Sequence, residues 1–275
     1  MELNQRLWML ELLVYWEGKV NTTPLRKVFG LSRQSVSTLI GRYLDQFPAS
    51  LEYHPVEKAY LRTTHFVPHY INQTLDEYLD WMNFGKLPTS LLSSQDPTQY
   101  RIQPLSRYVS PDIIRPIIKA VKNKTAIDCQ YLSVSSGEAQ ERLIYPHSFV
   151  KAANRWHIRA YCELRQQYLD FVLSRFQQVD YDGAEAQMTI GQDAAWHTQV
   201  ELILAPDFRL NAAQKKVLEK DYGMQQGQLS ITTRAALVKY TLDEWQIKTK
   251  FVEADPQAQQ LICVNYADIK QWFYD

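Results

Sequence analysis

Residues 154 to 162 read NRWHIRAYC. Alternation by twos puts Trp156, Ile158, Ala160 and Cys162 on one face of an extended segment and Arg155, His157, Arg159 and Tyr161 on the other, the pattern of a half-buried strand. The first set is core material. The second, two arginines, a histidine and a tyrosine, is expected to be an open, charged face. Comparable segments lie at short spacing around it: AIDCQYLSV at 126–134, ERLIYPHSFVK at 141–151 and QQYLDFVLSRF at 166–176. Four short alternating strands joined by tight turns such as SSGEA (135–139) predict a small barrel.

Working outward, the 275 residues are 45% apolar and 22% charged, ordinary globular values for a chain with room for two or three domains. Cys129, Cys162 and Cys263 are widely spaced with no CxxC pair, which argues against a disulfide framework or a zinc site and fits a reducing, cytoplasmic location. The opening MELNQRLWMLELLVYW is interrupted by Glu2, Arg6 and Glu11, so it reads as neither a targeting segment nor a membrane span.

The formal net charge of zero hides a segregation. Residues 1–70 carry 8 basic and 6 acidic side chains, 71–98 carry 1 and 4, 99–180 carry 12 and 7, and 181–275 carry 9 and 13. The first and third stretches are therefore where anionic partners are expected, because a local basic face acts within a Debye length of about 8 Å whatever the whole-chain sum.

In the first seventy residues Leu3, Leu7, Leu10 and Val14 recur at helical spacing and Gly18 follows as a stop. A second, short helix is expected from Thr22, its N-cap, to Phe29. Gly30 then makes a turn, and Ser32 caps a third helix whose Val36, Leu39, Ile40, Tyr43 and Phe47 form one apolar stripe. At 100° per residue, Gln34, Ser37, Thr38, Gly41 and Arg42 point away from that stripe, with Arg33 in the first turn. Small side chains admit a helix to a major groove, and Arg and Gln can read base edges or clamp phosphates. SLEYHPVEKAYLRT then reads as a hairpin with Lys58 near its tip. Helix, helix, recognition helix, hairpin is the order of a winged helix-turn-helix. Ser32, Arg33, Gln34, Ser37, Thr38, Arg42 and Lys58 are the candidate DNA contacts.

A short acidic, aromatic helix is expected at 74–84, a Ser/Thr/Pro/Gln-rich connector up to about residue 103, and a helix PDIIRPIIKAVKNK at 111–124. The domains expected are a winged helix at 1–70, a helical linker at 71–123, the barrel at 124–192 and a C-terminal α+β extension at 193–275. In that extension strands are read at 198–204, 229–233 and within QQLICVNY, with a helix after Asn211 and another over 242–252 that runs into a strand.

Tyr131 at the end of the first barrel strand, Arg142, Pro146 and His147 in RLIYPHSFV, Trp156 and Ile158 around a central residue, Ala160-Tyr161, and Arg175 in FVLSRF together resemble the WYL-domain family of bacterial transcription regulators. With the winged helix before it and the extension after it, the likeness spans nearly the whole chain, and its size and domain order resemble members that regulate anti-phage defence operons. One position departs: the family's central tyrosine is His157 here. The resemblance implies an SH3/Sm-like barrel that binds an anionic ligand, nucleotide or nucleic acid, and an extension that dimerises. Carried onto this chain, the ligand residues are Tyr131, Arg142, His147, Arg159 and Arg175. The residue pattern adds Ser133, which shares a strand face with Tyr131, and His157, beside Arg159. An unperturbed histidine titrates near pH 6.5, so His157 on an open face would be pH-responsive.

The expected fold class is α+β multidomain, and the expected function is sequence-specific binding of double-stranded DNA by a homodimeric repressor. It would recognise an inverted-repeat operator and be modulated by an anionic, nucleotide or oligonucleotide effector. The alternative is an accessory module for single-stranded nucleic acid or nucleotide without promoter specificity. No GxSxG, GxGxxG, P-loop or HExxH occurs, and Pro68 breaks the helix that the close pair His65 and His69 would need as metal ligands, so no catalytic residue, metal or cofactor is expected.

Overall fold

The computed structural model describes residues 3–85, 107–152, 154–249 and 253–273. Most of the connector read from sequence, residues 86–106, lies outside the described residues, as does the strand expected at the end of 242–252.

The chain begins with α1 (Leu3–Glu17), a two-residue strand β1 (Lys19–Val20), α2 (Thr22–Phe29) and α3 (Arg33–Gln46), followed by β2 (Leu51–His54) and β3 (Ala59–Arg62). The helix boundaries follow from local chemistry. Gly18 and Gly30 take positive φ where α1 and α2 stop, and Ser32 accepts a hydrogen bond from the Ser35 amide at 3.1 Å to start α3. Asn21 rather than Thr22 caps α2: its Oδ1 accepts from the Thr23 amide at 2.9 Å, so Thr22 is already helical. β1 pairs with β3 as β3 pairs with β2, so the expected hairpin is a three-stranded wing.

The apolar stripe expected on α1 is too narrow. Every residue from Leu7 to Trp16 is buried, because α4 (Leu75–Phe84) and α5 (Pro111–Asn123) pack on the sides that α2 and α3 leave open. Polar ties seal this contact. Trp8 Nε1 donates to Glu77 at 2.5 Å and the Tyr78 hydroxyl donates to Glu17 at 2.9 Å. The helices of the expected linker thus share one continuous core with the winged helix and with the sheet that follows.

That sheet is antiparallel with the order β7-β6-β5-β4-β8: β4 (Thr125–Leu132), β5 (Ala139–Ala152), β6 (Arg155–Cys162), β7 (Gln167–Val172) and β8 (Phe176–Glu185). Five strands stand where four were expected. A 3₁₀ turn at Leu173–Arg175 separates β7 from β8, whose polar sequence FQQVDYDGAE gives little strand signal. The sheet curls on itself: the Tyr131 hydroxyl, on β4, accepts from the Val172 amide at the end of β7 at 3.0 Å. The result is an SH3/Sm-like barrel.

The C-terminal unit has its own core, built from Val200, Leu202, Leu204, Val238, Leu242 and Leu261 among others. After a 3₁₀ turn and the short α6 (Ala194–His197) come β9 (Gln199–Pro206), α7 (Ala212–Asp221), β10 (Leu229–Arg234), α8 (Val238–Glu244), α9 (Pro256–Gln259), β11 (Leu261–Cys263) and α10 (Tyr266–Ile269), with β9 central in the order β10-β9-β11. The helix expected over 242–252 starts earlier, at Val238, and ends at Glu244. Among the described residues no helix is long and apolar enough to cross a membrane.

Candidate functional site

Two sites emerge, one on the winged helix and one beside the barrel. On α3 the buried positions are Val36, Leu39, Ile40 and Tyr43, and Ser32, Arg33, Gln34, Ser37, Thr38 and Arg42 are all exposed on the other side. Among the described residues no carboxylate pairs with Arg33 or Arg42. Lys58 is exposed in the wing turn with φ +48°, next to Glu57, which is ion-paired with Lys19. The apolar wing-tip residue Val56 is 87% exposed. The face is held rigid from behind by Glu11, which is fully buried on α1. It accepts from the Tyr43 hydroxyl of α3 at 2.9 Å and from the His69 and Tyr70 amides at 2.8 and 2.6 Å.

The second site is a cavity of about 430 Å³ between the barrel and the C-terminal unit. The barrel supplies Tyr131, Ser133, Arg142, Arg159, Asp170 and Phe171, and the β6–β7 turn supplies Arg165. The C-terminal unit supplies Lys239, Tyr240 and Trp272. Arg142 is the side chain with unused capacity. Only 7% exposed, it donates to Gln140 at 2.8 Å and contacts the Cys162 sulfur at 3.4 Å, while among the described residues its buried Nε has no partner and no carboxylate is ion-paired with it. A buried cation without a counter-charge is costly and invites an anion.

The expected open face of β6 does not exist. His157 is 4% and Arg159 3% exposed, and Tyr161 is buried with them, because the C-terminal unit and the segment leading to it cover the strand. Arg159 is already engaged. Its Nε and Nη2 make a two-pronged contact to Asp193 at 2.5 and 3.1 Å, and Nη1 reaches Asp170 at 3.3 Å. His147 is carried by a bulge between Pro146 and Ser148 and contacts the same Asp193 through Nε2 at 3.2 Å. Tyr131, Ser133, Arg142 and Arg159 therefore converge on the cavity, whereas His147, His157 and Arg175 do not line it.

The electrostatics follow from this packing. Burial alone would raise the Asp193 carboxyl, but the His147 and Arg159 hydrogen bonds and the Arg159 charge outweigh it and hold it below the ordinary carboxylate range. Burial lifts the Asp170 carboxyl against the pull of Arg159. Desolvation, with the nearby Arg155 charge, pushes His157 down to about 4, so it is neutral at physiological pH and is not the pH sensor that an open histidine would be. Its ring instead packs 5.1 Å from that of Tyr240. The unfolded chain takes up this proton from pH 6.5 downward and the folded chain only near pH 4. Stability should therefore fall across that window by on the order of 3 kcal/mol. Urea denaturation of wild type and His157→Phe at pH 7 and pH 4.5 checks this: the variant should lose less stability on acidification.

Sequence reasoning missed Asp193, Asp170, Lys239 and Tyr240. Asp193 carries a local signal, since its side chain caps α6 by accepting from the Trp196 amide at 3.1 Å. Its partners, 34 and 46 residues upstream, carry none. Trp156 was read as core alone, yet its indole donates to Asp76 of α4 at 3.0 Å, beside the Lys151 ammonium 2.7 Å from the same carboxylate. Trp156→Phe, which keeps the ring and removes that donor, should lower the thermal midpoint by a few degrees, an effect of about 1 kcal/mol readable by circular dichroism. Among the described residues no group of three or more His, Cys, Asp and Glu could hold a metal ion.

Comparison with known families matches all three units. Residues 2–84 match the winged helix-turn-helix domain of the BrxR transcriptional regulator, 112–181 the WYL domain, and 199–269 the BrxR C-terminal dimerization domain. An exposed α3 face and wing, followed by a WYL barrel and a match to a dimerization domain, define a winged-helix transcription regulator. The DNA-binding transcriptional repressor CapW of Pseudomonas aeruginosa is 30% identical over 271 residues, 97% of this chain and 90% of that one. CapW of Escherichia coli (strain KTE188) is 31% identical over 276 residues, covering 97% and 92%. CapW of Stenotrophomonas maltophilia is 26% identical over 274 residues, covering 98% and 91%. This chain belongs to the CapW family of transcriptional repressors. The solved structure of proteasome accessory factor B/C of Arthrobacter aurescens aligns over 98% of this chain and 45% of its own at 15% identity, with a TM-score of 0.29.

Proposed function

We propose that this protein is a homodimeric, DNA-binding transcription repressor that binds an inverted-repeat operator through two winged helices and is released by an anionic effector held in the barrel cavity. The observation that carries the DNA reading is the exposed face of α3, where Arg33 and Arg42 have no acidic partner among the described residues and stand among small polar side chains. The repressor names of the CapW relatives and the dimerization-domain match support it, and two copies would present two α3 helices to two half-sites. A phage-defence operon as the regulated target is an extension by resemblance to related regulators.

Gel shifts of the full chain on DNA from upstream of its own gene are expected to favour the native inverted repeat over a scrambled sequence of equal length by about a hundredfold or more at physiological salt. Equal affinity for both, with only a salt slope to distinguish conditions, would favour the accessory nucleic-acid module instead.

The effector reading rests on Arg142, a buried guanidinium with an unpartnered Nε in the cavity wall. An anion there gains charge-assisted hydrogen bonds, and Tyr131, Phe171, Tyr240 and Trp272 provide ring faces and edges for a planar group such as a nucleobase. Titration of the full chain with labelled short single-stranded deoxyoligonucleotides, competed by mononucleotides, is expected to show binding that Arg142→Met weakens about tenfold, the loss of one charged hydrogen-bond donor set. Equal binding by wild type and variant would remove Arg142 from the site.

A further inference from the structure

The C-terminal unit keeps its own core, and its attachment to the barrel combines the ring contacts of His147 with Trp196 and of His157 with Tyr240 and two polar ties. One is the Tyr240 hydroxyl on Asp170. The other runs through Asp193, 1% exposed, which sits between the barrel and α6 and receives Arg159, His147 and the Trp196 amide together. The α6 segment also lies against the helices that follow the winged helix and against the C-terminal sheet. The Trp196 ring lines a groove with Tyr78, Leu79 and Met82 of α4 and Ile118 of α5, the helices that enclose α1. The Trp196 carbonyl accepts from Arg234 of β10 at 2.5 Å, and that guanidinium lies 4.7 Å from the ring centre.

We infer that Asp193 is the positioning residue that couples the cavity to the rest of the repressor: an anion bound beside Arg142 competes for Arg159, the Arg159–Asp193 fork opens, and the α6 segment shifts against both α4 and the C-terminal unit. This rests on the cavity being the effector site. Arg159 forms part of the cavity wall and offers five N–H donors, three of which the two aspartates use, so an incoming anion can engage it before the fork is lost. Without Arg159, Asp193 would be a buried carboxylate lacking its main counter-charge, an arrangement that is unstable in place. The segment therefore has two discrete positions, held or released, and a ligand that binds one better selects it.

Operator binding by full-length Asp193→Asn, Asp193→Glu and wild type tests this, together with hydrogen–deuterium exchange on the same proteins. Asn fits the space and keeps a capping oxygen but loses the charge. Glu keeps the charge and fits poorly. Coupling predicts that D193N binds the operator at least tenfold more weakly while remaining a dimer, that exchange at 190–197 quickens, and that D193E recovers most of the affinity. D193N within twofold of wild type, or D193E weaker than D193N as simple packing demands, would overturn it. Should D193N fail to fold, the double variant R159M/D193N, which removes both charges, is read by the same affinity limits. Failure of wild type to bind its upstream DNA would instead sink the repressor reading. Exchange would then decide alone: faster exchange in D193N that spreads from 190–197 into α4 and β10 supports the coupling, and confinement to 190–197 overturns it.

Discussion

Replacing Arg33 and Arg42 together by alanine is expected to reduce operator affinity by about a hundredfold per half-site, taking each guanidinium contact at about 1.4 kcal/mol within the usual range of 1–3. Both side chains are exposed on α3, on the side opposite its buried stripe, so their removal leaves the core untouched and a folded variant is expected. The salt dependence separates the two modes of contact. If both arginines bind phosphates, a dimer loses four such contacts and the slope of log affinity against log salt becomes shallower by up to about 3.6. If they read base edges, the slope changes little and preference for the native repeat collapses instead. Gel shifts at three salt concentrations on native and scrambled repeats measure both, and unchanged affinity would mean that another element enters the groove.

The second large effect is on stability. Glu11→Ala should destabilise the N-terminal half by about 3–5 kcal/mol, because it removes a buried acceptor serving three donors. The Tyr43 hydroxyl would be left without its acceptor in the buried interior, and the half-buried His69 and Tyr70 amides would lose theirs. Glu11→Gln, which retains one carbonyl oxygen, should lose less. Thermal and urea unfolding followed by tryptophan fluorescence suits the measurement, since Trp8 and Trp16 lie on the same buried helix. Because Tyr43 belongs to α3, the same substitution should also loosen the DNA-facing helix, and operator affinity should fall with stability.

The two faces of α3 were legible from the sequence and the cavity lining only in part, for one physical reason. On α3 both faces are set by a single local period, so the residues that pack and the residues left over are fixed within fourteen positions. On β6 the same rule separates two faces correctly but cannot say what covers the second. The covers are Asp193, 34 residues away from Arg159, and Tyr240, farther still, and neither is marked by periodicity. Charged side chains on a strand therefore read as open when they are in fact paired and enclosed. The fifth barrel strand was missed for a related reason: β8 is an edge strand with few apolar positions, and its place is decided by pairing with β4 from Thr125 to Tyr131. The resemblance to WYL regulators supplied Arg142, whose buried Nε has no partner among the described residues.

Strand β6 finally limits how this protein can be rebuilt. Trp156 faces Asp76 on the DNA-binding side, His157 lies against Tyr240 of the C-terminal unit, and Arg159 grips Asp193 in the joint between them. Eight consecutive residues thus serve three separate neighbours. A chimaera that replaces the barrel with one from another regulator, to install a new effector response, must transplant Asp76, Asp193 and Tyr240 as a matched set. Swapped without them, the new barrel would sit in the chain as an insulated bead, cut off from the neighbours that β6 now joins.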